Sequence, residues 1–129
     1  AARVSYGAGT KKVNGRKAYV VEYLGGGSSD SLKIRLLFDA ETFQHIQSEY
    51  VEEFSGRQAT FGTLGQLSDF NIELTESFSE FKTYEGITLP SVMKVRYIVS
   101  SKQTYQYDWT FKLNDVKFNQ TLKENFFTF

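Results

Sequence analysis

The sequence predicts a mainly β domain built as an antiparallel sheet, and three observations carry that reading. Tyrosine and phenylalanine are abundant, with 8 and 12 residues against a single proline, and aromatic side chains pack well on a pleated surface. Apolar residues recur at period two in one run after another, the repeat of a strand. Short turns separate the runs and no βαβ alternation occurs, so meander connections are expected.

Taken in order, "RKAYVVEYL" from Arg16 sets Tyr19, Val21 and Tyr23 on one side and Ala18, Val20, Glu22 and Leu24 on the other, with both sides fairly apolar. "GGGSSD" at 25–30 supplies turn residues and reads as a loop between strands. "LKIRLLFD" alternates more cleanly: Leu32, Ile34, Leu36 and Phe38 are expected to face a core, opposite Lys33, Arg35 and Leu37. Asp39 to Thr42 reads as an Asx-type hairpin turn, because an aspartate can bond the backbone two residues on. In "FQHIQSEYVEEF", Phe43, Ile46, Tyr50 and Phe54 fall near helical spacing, yet β-formers and a hairpin turn flank the run, so a strand is favoured with helix as the alternative. Residues 55–68 carry three glycines and no clean period and read as a loop.

Strand character resumes at "NIELTESFSEFKTY", with Ile72, Leu74, Glu76, Phe78 and Glu80 on one face. Glu85-Gly86 forms a turn, and Pro90, lacking an N–H, belongs at a strand start or on an edge. "SVMKVRYIVS", a polar "SKQ" turn and "TYQYDWTFKL" follow, the last with Tyr105, Tyr107, Trp109, Phe111 and Leu113 in one alternating row. The sum is seven or eight strands in one β-rich domain over residues 1–129.

Composition excludes several classes. Fifteen lysine plus arginine residues balance fifteen aspartate plus glutamate, so no net basic field favours nucleic acid. No apolar run approaches the roughly 18–20 residues that span a bilayer as a helix. The start "AARVSYGAGT" lacks the basic and apolar regions of a signal peptide and reads as a mature or trimmed terminus. With 0 cysteines there are no disulfides, thiolate zinc sites or cysteine nucleophiles, which leaves the compartment open.

Reactive groups are sparse. His45 is the single histidine; on a strand it would share a face with Glu49, but a metal site needs a third ligand, so an exposed, inert histidine is the plain reading. Ser48 and Ser55 sit in no G-x-S-x-G motif. Glu76 with Glu80, and Glu49 with Glu52 and Glu53, are available for acid–base work but read more simply as solvated strand faces. The glycines at 25–27 lack the lysine and helix of a phosphate loop, and Asn119-Gln120-Thr121 reads as a chance sequon. No catalytic residue, metal or cofactor is expected.

The aromatic rows are coherent where the polar groups are scattered. Tyr19, Val21 and Tyr23, then Met93, Val95 and Tyr97, then Tyr105, Tyr107, Trp109 and Phe111 can each stripe one face of a sheet. The plain reading is packed core; the functional one is an apolar hollow with tyrosine hydroxyls at its rim, suited to an acyl chain or another lipid.

Four stretches, "VNGRKAYVVEY", "LLFDAETF", "FSEFKTYEGITLP" and "LNDVKFNQTLKENFF", resemble the C-terminal part of the bacterial outer-membrane lipoprotein-sorting (lipoprotein carrier) family. The matching positions are Gly15, Phe38, Asp39, Thr42, Phe78, Gly86, Ile87, Leu89, Pro90, Asn119 and Phe126, in the family's order, and they span most of residues 13–127. The resemblance implies a curved antiparallel sheet forming an incomplete barrel, whose concave face holds acyl chains in the periplasm after export. It makes Asp39 and Pro90 turn-formers and ends a last strand near Asn119. Family members are usually longer, with covering helices that nothing here matches, so the chain reads as a piece of a longer domain or a reduced relative. An edge strand left open would then self-pair. The expected function is non-enzymatic binding or transport of a lipid or lipoprotein acyl chain, with a transient membrane-associated partner. The expected lining is Tyr19, Val21, Tyr23, Ile34, Leu36, Met93, Tyr97, Tyr107 and Trp109. The alternative is a structural or protein-interaction β module with a filled core.

Overall fold

The computed structural model describes residues 3–5, 9–24, 32–54 and 69–122. Its strands are β1 (Arg3–Ser5), β2 (Thr10–Val13), β3 (Arg16–Leu24), β4 (Leu32–Asp39), β5 (His45–Phe54), β6 (Phe70–Tyr84), β7 (Ile87–Ser100) and β8 (Thr104–Lys112). They form one antiparallel sheet in the order β1-β3-β4-β5-β6-β7-β8, with β2 also on β3. From β3 onward every strand pairs with its successor, the meander expected from sequence. The sheet stays open: β1 and β2 share the outer edge of β3, and β8 pairs only with β7 among the described residues.

Local chemistry sets the turns. Asn14 and Gly15 both adopt left-handed backbone, φ 49° and 82°, closing the β2–β3 hairpin in the arrangement that an Asn-Gly pair favours. Glu85 and Gly86 do the same between β6 and β7, φ 47° and 85°. Between β4 and β5, Asp39 Oδ1 accepts from the N–H groups of Glu41 at 3.0 Å and Thr42 at 2.9 Å, the expected Asx-type turn. Phe43 completes it at φ 58°. The run from His45 is a strand, and its helical spacing comes from a β-bulge: the register slips between Leu37 and Phe38, leaving Ile46 as the extra residue.

In β4 the buried core lies on the face opposite the one that sequence pointed at a core. Ala18 and Leu37 are fully buried and join Val20 and Ile46 in one cluster, against which Val13 and Phe81 pack. Leu32, Ile34, Leu36 and Phe38, expected to face a core, alternate with Leu37 and are only half-buried on the opposite face. The cause is the long β6–β7 ribbon, which runs past the ends of β5 and β8 and brings Phe81 onto the Leu37 side.

Pro90 takes the edge position of the two that the sequence allows, and it forms no turn. It lies inside β7, opposite Phe81, on the ribbon that β8 does not reach. It offers no N–H to the ladder, and beside it the pleat of β6 breaks at Glu80, φ 51°, whose carbonyl accepts from Ser91 Oγ at 2.6 Å. Glu80 therefore does not continue the Ile72–Phe78 row. β8 ends at Lys112, and 113–122 has no regular structure, so the last strand that the resemblance extends to Asn119 is absent. The stretches at 25–30 and 55–68, and Phe126, lie outside the described residues.

Candidate functional site

Register sorts the side chains of the sheet into two unlike faces. One carries the charges: Arg35 bonds Glu22 at 2.8 Å, Lys11 bonds Glu49 at 2.6 Å, Arg16 reaches Asp39 at 3.1 Å and Arg96 bonds Asp108 at 2.7 Å. The Glu22 carboxylate raises the Arg35 guanidinium further above its already high value, and bonds from Arg96 and Gln106 lower the Asp108 carboxyl. The small buried cluster sits at one end of this same face.

The other face is mainly apolar, with Glu52 and Glu76 on its middle strands and Lys12 and Lys17 at its β2–β3 end. Cross-strand partners share a face, so pairing traces rows across it: Val21–Leu36–Ser48–Glu76–Val95–Trp109 in one, and Tyr23–Ile34–Tyr50–Leu74–Tyr97–Tyr107 beside it. Tyr19–Phe38–His45 and Phe78–Met93–Phe111 flank them on one side, and Leu32–Glu52–Ile72–Val99–Tyr105 on the other. All nine expected lining residues, Tyr19, Val21, Tyr23, Ile34, Leu36, Met93, Tyr97, Tyr107 and Trp109, therefore lie on this one face.

This face is not packed as a core. None of its described apolar residues is buried; those in the rows on β4 to β7 are half-buried, while Phe70 is 37% exposed and Tyr19, Tyr105, Tyr107, Trp109 and Phe111 are 44–52% exposed. The packed-core reading of the rows thus fails among the described residues. The rings contact one another instead of being covered: Tyr107 stacks on Trp109 at 5.9 Å and meets Tyr97 at 6.4 Å, and Tyr19 stacks on Phe43 at 6.2 Å. An uncovered apolar surface this continuous marks a binding surface more often than an ordinary exterior.

His45 belongs to this face and not to the charged one. The bulge sets it opposite Phe38, with its ring 5.2 Å from Phe38 and 4.9 Å from Phe78, and Nε2 lies 3.0 Å from the Gln47 carbonyl and 3.1 Å from Ser48 Oγ. It is half-buried, and Glu49, expected to share its face, points to the other and bonds Lys11 and Gln47. Beside this ring a shallow pocket of about 290 Å³ opens between Gln44, His45, Phe78, Phe81, Thr88 and Pro90. Its chemistry is that of an apolar notch with one imidazole, and among the described residues no carboxylate bonds that ring.

The expected lining omits the β5 and β6 members of the face, among them His45, Tyr50, Ile72, Leu74, Glu76 and Phe78, and two residues were given another role. Phe38 was assigned to core, and Glu76 to a solvated strand surface. Glu76 is half-buried, its carboxylate accepting from the Tyr50 hydroxyl at 3.3 Å. Its position two residues from both Leu74 and Phe78 was the available signal. Comparison of the chain with protein-family models, with curated proteins and with solved structures gives no match in any of the three.

Proposed function

We propose that the protein is a non-catalytic domain that binds a lipid or lipoprotein acyl chain on the apolar face of its open sheet, in the bacterial periplasm. The observation that carries the reading is the uncovered row running from Tyr23 through Tyr97 and Tyr107, beside Trp109, in a sheet whose buried core lies on the opposite side. The sequence resemblance to lipoprotein carriers supplies the compartment and the transport role. Burial supplies the affinity: each CH₂ removed from water is worth about 0.8 kcal/mol, so a long chain needs no strong anchor. The alternative, an interaction module whose rows fill its own core, is disfavoured because none of these apolar side chains is buried among the described residues.

The double variant Tyr107→Ala/Trp109→Ala tests the reading. Truncating two half-exposed aromatic rings should weaken acyl-ligand binding about tenfold or more, on the scale of 1.5–3 kcal/mol per large apolar side chain, while far-UV circular dichroism keeps its β signature. Unchanged affinity in a folded variant would remove the β8 row from the site.

A further inference from the structure

The apolar face has a charged side chain at its centre, Glu76, and a second carboxylate, Glu52, nearer one side in the Leu32–Glu52–Ile72 row. Register places Glu76 between Ser48 and Val95, with Leu74 and Phe78 before and after it on the same strand face. Its one hydrogen-bond partner among the described residues is the Tyr50 hydroxyl, at 3.3 Å. The arginines and lysine that pair with carboxylates in the sheet, Lys11, Arg16, Arg35 and Arg96, serve the opposite face. Glu76 thus brings an uncompensated negative charge to the middle of a mainly apolar surface, away from Glu52 and from Lys12 and Lys17 at its margins. An aliphatic chain laid across it would strip that carboxylate of solvent and give nothing back, which is costly unless the ligand supplies an opposite charge or a donor.

We infer that Glu76, with the Tyr50 hydroxyl beside it, is the polar end of the lipid site and selects amphiphiles headed by a protonated amine over those ending in a carboxylate. This deepens the proposed acyl-chain reading and rests on it. The ammonium donates to the free lone pairs of Glu76 while its chain runs along the same row over Val95 and Trp109. A carboxylate head at the same place meets a like charge. The neutral overall charge of the chain adds no field of its own in either direction.

Three amphiphiles of equal chain length separate the terms: dodecylammonium, dodecanol and dodecanoate, each titrated at pH 7 below its aggregation concentration and followed by the fluorescence of Trp109, the single tryptophan. The expected result is dodecylammonium binding at least tenfold tighter than dodecanoate, with dodecanol between them. In Glu76→Gln the ammonium preference should fall to within about twofold while dodecanol is retained; Glu53→Gln, on the charged face, should leave the ratio as it was. Dodecanoate binding as tightly as dodecylammonium, or an unchanged ratio in Glu76→Gln, would overturn the selectivity and leave acyl binding standing. Failure of all three to bind would overturn both.

Discussion

Asp39 does structural work that its chemistry makes measurable. It is 2% exposed, its Oδ1 takes two backbone N–H groups of the β4–β5 turn, and Oδ2 lies 3.1 Å from Arg16 on the neighbouring hairpin. The Thr42 and Glu41 bonds, with Arg16 adding its charge, hold the carboxyl below the ordinary aspartate range. A depressed folded-state value stabilises the fold above the unfolded pKa, near about 3.9, and that stabilisation is lost as pH falls through the lower folded value. Asp39→Asn should therefore melt below the wild type at pH 7, with the gap closing below about pH 4; thermal melts across that range check it. Asp108, lowered by Arg96, keeps some acid sensitivity in the variant. A constant gap at every pH would mean that the turn needs the shape of Asp39 and not its charge. The turn was legible because an aspartate three residues before a threonine carries its own hydrogen-bond acceptor. The facing of His45 was not, because one extra residue, Ile46, moves every residue before it to the other side of the sheet.

At the level of elements, alternation found β3 to β8 but not which of their faces would be buried. The Leu32–Phe38 row is the more apolar one, yet Leu37 is the buried residue, since the covering Phe81 comes from a ribbon whose path depends on the break at Glu80. Nothing local to β4 encodes that. β2 was missed as a strand because Thr10–Val13 is too short and polar to show a period, although Asn14-Gly15 was the signal for a hairpin. The two edges also differ. β3 is flanked by β1 and β2, whereas β8 is nine exposed residues without proline, glycine or bulge, and its outer ladder, unpaired among the described residues, is a template for another strand. The Leu113 N–H bonds the Ser91 carbonyl, so by alternation the even-numbered N–H groups of β8 point outward. Self-association through this edge is accordingly expected in sedimentation velocity as a concentration-dependent dimer, and Thr110→Pro, which removes one outward donor and leaves the β7 ladder, should make it monomeric. A wild type that stays monomeric at high concentration would rule the edge pairing out.

For the whole molecule, the meander and its antiparallel order followed from sequence, as did the gathering of Tyr19, Val21, Tyr23, Ile34, Leu36, Met93, Tyr97, Tyr107 and Trp109 on one face. Period two makes such a face readable, because each strand contributes alternate residues and register joins them. What covers the face was not readable, since burial depends on what lies across from a surface. In the described residues the buried cluster and the aromatic expanse lie on opposite sides of a single sheet. That division is the basis of the lipid-binding proposal. Native mass spectrometry of the protein purified from a bacterial host, beside a sample extracted with organic solvent, tests it most directly. A co-purified fatty-acyl or phospholipid mass that extraction removes is the expected result. A clean unliganded mass, with no change in tryptophan fluorescence when acyl ligands are added back, would contradict it.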